Sequence, residues 1–214
     1  MKAIVCTRYG KTEDVVELRD MPTPVVQAND VLIKVHCASL NPIDFKIQQG
    51  EMKAIMKFKF PLILGFDVSG EVLQVGAGVK QFKVGDLVFS RVASDRFGTF
   101  AEFVSVDEKL VALKPTALTH AQAAALPLVS LTSWQALHSI AQVKPGQKVL
   151  IHAGAGGIGS IAIQIAKHLG AYVAATTSTK NVEFVKSLGA DTVVDYKTTA
   201  FEQVLQGYDM VFET

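Results

Sequence analysis

Val149-Leu150-Ile151-His152-Ala153-Gly154-Ala155-Gly156-Gly157-Ile158-Gly159 runs an apolar strand straight into a G-x-G-x-x-G turn. A helical, apolar-rich stretch from Ile161 to Leu169 follows at once. That order sets a glycine-rich loop at a helix N-terminus, where unpaired amides and the helix dipole favour an anion. In a dinucleotide-binding turn, Gly154 reverses the chain, Gly156 admits a pyrophosphate to the backbone, and Gly159 lets the helix pack closely on the strand. The spacing alone also fits an ordinary glycine turn. The flanking strand and helix favour the dinucleotide, with Gly154, Ala155, Gly156, Gly157, Ile158 and Gly159 as its binding segment.

About twenty residues further on, a site for NAD should carry Asp or Glu for the ribose 2′-hydroxyl. Here the next strand, Tyr172–Thr176, ends in Thr177-Ser178-Thr179-Lys180. Hydroxyls and an ammonium suit a 2′-phosphate, and no carboxylate is there to repel it. The expected cofactor is therefore NADPH, with Thr177, Ser178 and Lys180 around the phosphate. Ser178 or Thr179 also reads as a plain N-cap for a helix around Lys180–Leu188.

The chain has 214 residues, 49% of them hydrophobic, and a formal charge of +1 with both signs spread along it. Nothing in this balance suits a nucleic-acid tail or a disordered segment. The two cysteines, Cys6 and Cys37, sit in strand-like runs and suggest reduced thiols and a cytoplasmic protein. The apolar run at the N-terminus is too short for a signal peptide. Ala121 to Ile140 is interrupted by Pro127 and by polar residues, so no membrane span is expected.

Up to about Pro115 the sequence is rich in short Val/Ile/Leu/Phe runs separated by glycine turns, which predicts a β-rich barrel-like or sandwich domain. Thr119-His120-Ala121-Gln122 has capping-box spacing before an Ala-rich helix, and Leu128 to Val143 reads as a second helix. From Lys148 strands and helices alternate, the pattern of a doubly wound parallel α/β sheet. The expected boundaries are residues 1–118 and 119–214, with the second sheet cut short at its fourth strand.

Several segments resemble the medium-chain dehydrogenase/reductase superfamily, and within it the zinc-independent quinone oxidoreductase (zeta-crystallin-like) and enone oxidoreductase branch. They are Leu40-Asn41-Pro42-Ile43-Asp44-Phe45-Lys46, the run from Pro61 to Val72 around Gly65-Phe66-Asp67, the run from Ala125 to Ser133, and the glycine loop. The resemblance implies a GroES-like domain followed by a Rossmann domain, and a longer protein whose C-terminal segment returns to the first domain. It also implies a homodimer for the full-length form. Zinc-dependent members carry Cys where this chain has Asn41 and His where it has Phe66. Neither replacement can ligate zinc, so no metal is expected.

The same resemblance puts Asn41 and Lys46 beside the nicotinamide as catalytic candidates and Thr132 near its ribose. Asn41 is expected to donate a hydrogen bond to a substrate carbonyl, or to be only a turn residue before Pro42. Lys46 is expected to stabilise an enolate, or to be a solvated helix lysine. Asp44 and Asp67 read as turn or capping carboxylates. Tyr196 flanks the 2′-phosphate region or closes the core edge. The implied activity is NADPH-dependent reduction of a small-molecule quinone or α,β-unsaturated carbonyl. A non-catalytic NADPH-binding module and an inactive fragment are the alternatives.

Overall fold

The computed structural model describes residues 1–55 and 57–214. The chain divides into two compact units, Met1–Leu128 and Val129–Thr214.

The first unit holds two antiparallel sheets. Strands β1 (Lys2–Cys6), β2 (Val16–Asp20), β3 (Asp30–Ser39), β4 (Leu62–Ile63), β5 (Asp67–Val75), β6 (Leu87–Arg91), β7 (Phe103–Asp107) and β8 (Val111–Leu113) are joined by two short helices, α1 (Thr12–Val15) and α2 (Pro42–Gln49). One sheet has the order β2-β1-β4, the other β7-β3-β5-β6-β8. Alternating residues Val31 and Ile33 of β3, Val68 and Val72 of β5, and Val104 and Val106 of β7 point to one face and build the larger core. A second cluster of Cys6, Val15, Ile47, Leu64 and Phe66 includes the buried face of α2. Helix α3 (His120–Ala124) starts at the predicted capping box: Thr119 Oγ1 accepts from the Gln122 amide at 3.2 Å, and Gln122 Oε1 accepts from the Thr119 amide at 2.9 Å.

Strand β7 begins only at Phe103, although the apolar run starts at Phe100. Residues 100–102 pair instead with β1, through Ile4 N–H to the Phe100 carbonyl (2.8 Å) and Glu102 N–H to the Lys2 carbonyl (3.0 Å). Edge strand β2, with alternating charges in Val-Glu-Leu-Arg-Asp, carried too little apolar signal to be foreseen.

Helix α4 (Pro127–Trp134) does not continue to Val143 as the sequence suggested. Residues Gln135–Ile140 form a π-helix, and Gln142 turns left-handed (φ 51°). The wider turn accompanies full burial of Leu137, while Trp134 and His138 stack at 4.3 Å outside.

The second unit is an all-parallel sheet of order β11-β10-β9-β12, made of β9 (Lys148–Ile151), β10 (Tyr172–Thr177), β11 (Thr192–Asp195) and β12 (Met210–Phe212). Helices α5 (Gly157–His168), α6 (Val182–Ser187) and α7 (Phe201–Val204) connect the strands, as parallel pairing requires. Val149, Ile151, Val173 and Ala175 of the sheet share a core with Ala162, Ile163 and Ala166 of α5.

Two measurements test this packing. A Cβ at Gly159 would lie 2.4 Å from the Ala153 carbonyl oxygen and 2.9 Å from Gly154 Cα, both backbone atoms. Gly159→Ala should therefore lower unfolding free energy by roughly 1–3 kcal/mol, despite the gain in helix propensity. In the first unit, buried Asp30 accepts from Arg96, from Ser105 Oγ (2.9 Å) and from the Gln27 amide (3.2 Å). Burial pushes its carboxyl up, but the hydrogen bonds and charge of Arg96, Ser105 and Gln27 outweigh that and hold it below the usual carboxylate value. Its contribution is thus full above the unfolded value and lost as pH falls through the lowered one. Asp30→Ala should cost about 2 kcal/mol at neutral pH, with the gap to wild type closing in acid, read from denaturant midpoints across pH.

Candidate functional site

In the parallel unit the candidate residues gather at the C-terminal ends of the strands. β9 leads into the glycine loop, and the left-handed turn falls on Ala153 (φ 49°), one residue earlier than expected. Thr176 pins that turn. Its carbonyl accepts from Gly154 N–H at 2.8 Å, and its hydroxyl takes the Ala153 amide (3.3 Å) and contacts His152 Nδ1 (3.0 Å). Gly154 lies against the core, where a Cβ would meet Ala175, Ile163 and Val185. Gly156 is the N-cap of α5, and its amide donates to the Ala153 carbonyl at 2.8 Å. The next amides, of Gly157, Ile158 and Gly159, begin a twelve-residue helix and have no preceding turn to receive them. A phosphate placed there meets free N–H groups and the positive helix end.

At the end of β10, Thr177 is buried (2% exposed). Its carbonyl accepts from the Tyr196 amide at 3.1 Å, which brings Tyr196 beside the strand end. The Tyr196 ring is 52% exposed, and Lys197 Nζ lies 5.5 Å from its centre. Ser178 leads a 3₁₀ turn, Thr179–Asn181, that carries exposed Thr179 and Lys180. The groups open to solvent are therefore Ser178, Thr179, Lys180, Tyr196 and Lys197, of which Lys197 was not foreseen.

Thr132 is half-buried in α4. The neighbouring Ser133, which sequence reasoning passed over, is fully buried; its hydroxyl contacts the Val129 (2.8 Å) and Ile158 (3.2 Å) carbonyls. That contact ties α4 to the start of α5.

In the first unit, Asn41 is the N-cap of α2, with Pro42 at the first helical position and Gly50 closing the helix in a left-handed turn (φ 84°). Asp44 completes the cap: its carboxylate accepts from the Asn41 amide at 2.7 Å and from the Gly65 amide at 3.0 Å. Asn41 Nδ2 donates to Asp67 Oδ2 (2.9 Å) and to Ser39 Oγ (3.3 Å). The Asn41 NH₂ group is thus turned toward Asp67 and Ser39. Burial pushes the Asp44 carboxyl above its usual value against the bonds from Asn41 and Gly65, and nearby Asp67 adds to it. Burial likewise pushes Asp67 up, over the opposing bonds from Asn41, Ser39 and Leu128 and the charge of Arg91.

Asn41, Asp44 and Phe45 line a cavity of about 510 Å³ with Ile4, Leu64 and Phe100. Lys46 lies on the exposed face of α2 and is not among the lining residues. Phe66 stacks on Phe97 at 4.5 Å. Among the described residues, no group of three or more His, Cys, Asp or Glu could hold a metal ion. The rings of His36 and His120, far apart in sequence, lie 4.4 Å apart with their planes tilted by 32°, and Ser69 Oγ lies 2.8 Å from His120 Nδ1. Among the described residues no helix is long and apolar enough to cross a membrane.

Residues 27–116 match the alcohol dehydrogenase GroES-like domain, and residues 157–214 match the family described as zinc-binding dehydrogenase. The chain is 44% identical to the chloroplast envelope quinone oxidoreductase homolog of Arabidopsis thaliana, over 92% of this chain and 62% of that protein. It is 42% identical to the NADPH-dependent alkenal/one oxidoreductase, chloroplastic, of the same plant, over 100% of this chain and 57% of the relative. The chain therefore spans less than two thirds of either relative. Among solved structures, the quinone oxidoreductase from Coxiella burnetii superposes with a TM-score of 0.87 at 40% identity, covering 99% of this chain and 67% of that one. The chain belongs to the medium-chain dehydrogenase/reductase superfamily, in its zinc-independent quinone oxidoreductase branch.

Proposed function

We propose that the whole protein is an NADPH-dependent reductase of quinones or α,β-unsaturated carbonyls. The observation that carries this reading is the end of β10: exposed Lys180 and Thr179, with half-buried Ser178, stand where a carboxylate would select NADH. The names of the relatives, one a quinone oxidoreductase homolog and one an alkenal/one oxidoreductase, support the acceptor class. Free thiols at Cys6 and Cys37 suit a reducing compartment such as the cytoplasm.

The glycine cradle fits a dinucleotide. A Cβ at Gly156 would sit 3.2 Å from the Ala153 carbonyl oxygen, tighter than ordinary contact. The amides of Gly157, Ile158 and Gly159, with Ala155 beside them, receive the pyrophosphate. Ser178, Thr179 and Lys180 take the 2′-phosphate, Tyr196 flanks it, Thr177 holds the strand end through its backbone, and Thr132 serves the nicotinamide ribose. The cofactor supplies a hydride from its nicotinamide C4 when bound. Lys46 stabilises the oxyanion that develops on the acceptor, Asn41 presents one edge of its carboxamide to the cavity where the acceptor is held, and solvent provides the proton.

Titration calorimetry should show NADPH binding at least about tenfold tighter than NADH, a difference of ~1.4 kcal/mol. Lys180→Ala should weaken NADPH by about that factor and leave NADH within about twofold. Equal affinities in the wild-type protein would overturn the cofactor assignment. Lys46→Ala should lower kcat on a linear enone by roughly tenfold or more; an unchanged kcat removes Lys46 from the chemistry.

A further inference from the structure

Asp67 is fully buried and hydrogen-bonds to three residues from two separate segments. Its Oδ1 accepts from the Leu128 amide at 3.0 Å, in the first turn of α4. Its Oδ2 accepts from Ser39 Oγ at 3.0 Å and from Asn41 Nδ2 at 2.9 Å. Capping α4 needs only the first of these bonds. The other two form a closed triangle with the 3.3 Å contact from Asn41 Nδ2 to Ser39 Oγ. Ser39 has a single hydroxyl proton and gives it to Asp67, so toward Asn41 it is an acceptor. Two acceptors therefore face the Asn41 carboxamide from one side, and its NH₂ edge must turn to them.

We propose that Asp67 is a positioning residue for Asn41, its carboxylate deciding which edge of the carboxamide is held inside the fold and which faces the cavity. With Asp67 ionised, the NH₂ edge is held inward. An amide at position 67 offers its own NH₂ to the Asn41 oxygen, and the carboxamide turns over. Asp67 touches no substrate in this scheme and acts only through Asn41. The kinetic consequence rests on the reductase reading above; the orientation of Asn41 does not.

The experiment uses the full chain carrying Asp67→Asn, Asn41→Ala, both together, and Ser39→Ala. Side-chain amide NMR of the wild type should show Asn41 NδH₂ protons that exchange slowly with water. In Asp67→Asn they should exchange at least about tenfold faster and shift. With NADPH and a linear alkenal, kcat should fall roughly tenfold to a hundredfold in Asp67→Asn, with KM moving less than kcat. Combining it with Asn41→Ala should add no further loss, because one residue acts through the other. Asn41 amide protons unchanged in Asp67→Asn would overturn the proposal, as would losses that multiply in the double variant. If Asp67→Asn fails to fold, Ser39→Ala decides: it keeps the α4 cap, and unchanged exchange at Asn41 counts against the triangle. A wild-type protein that reduces no acceptor would sink the reductase reading and leave the NMR result to judge Asp67.

Discussion

The close approach of a helix to the loop that precedes it governs the parallel unit. Gly159 sits over the backbone of Ala153 and Gly154, so α5 can begin immediately beyond the sheet edge. Any side chain there would push the helix outward and carry its leading amides with it. Thr176 then fastens the loop from the neighbouring strand through its carbonyl and its hydroxyl. The left-handed conformation of Ala153 costs about 1–2 kcal/mol, and these bonds offset it. The anion-binding character of the unit thus depends on a packing constraint rather than on any charged side chain.

The antiparallel unit solves a different problem. It keeps two carboxylates, Asp44 and Asp67, away from water around one asparagine. Each receives backbone amides from distant parts of the chain: Gly65 for Asp44, Leu128 for Asp67. Such a network is tolerable only when nearly every lone pair is met, and in return it fixes one arrangement of the segments it joins. The cavity beside α2 inherits that definition.

Much of this was legible in the chain itself. The glycine loop and the alternation after Lys148 specified a parallel sheet, because buried parallel strands read as continuous apolar runs. The capping box at Thr119 was readable from spacing alone. What escaped was non-local. Nothing in Leu-Thr-Ser marks Ser133 as the residue that meets Ile158, and Asp67 gives no sign that it faces Asn41 across 26 positions. The π-helix after Trp134 keeps a helical composition, so its extra width leaves no trace in periodicity. Lys46 and Asn41 share one helix, yet their different exposures emerge only once the packing face of α2 is known.

One residue of the first unit splices its two sheets. Glu102 takes the Lys2 amide on its carboxylate (2.7 Å), returns its own amide to the Lys2 carbonyl, and accepts the Val35 amide on its carbonyl at 2.9 Å. The chain's second residue is therefore stitched, through one glutamate, to the middle of the longest strand. Opening β1 at Lys2 breaks both of its bonds to Glu102, the residue whose carbonyl holds the Val35 amide of β3. The first strand is thus coupled to both sheets, and a substitution at Glu102 should loosen β1 and β3 together.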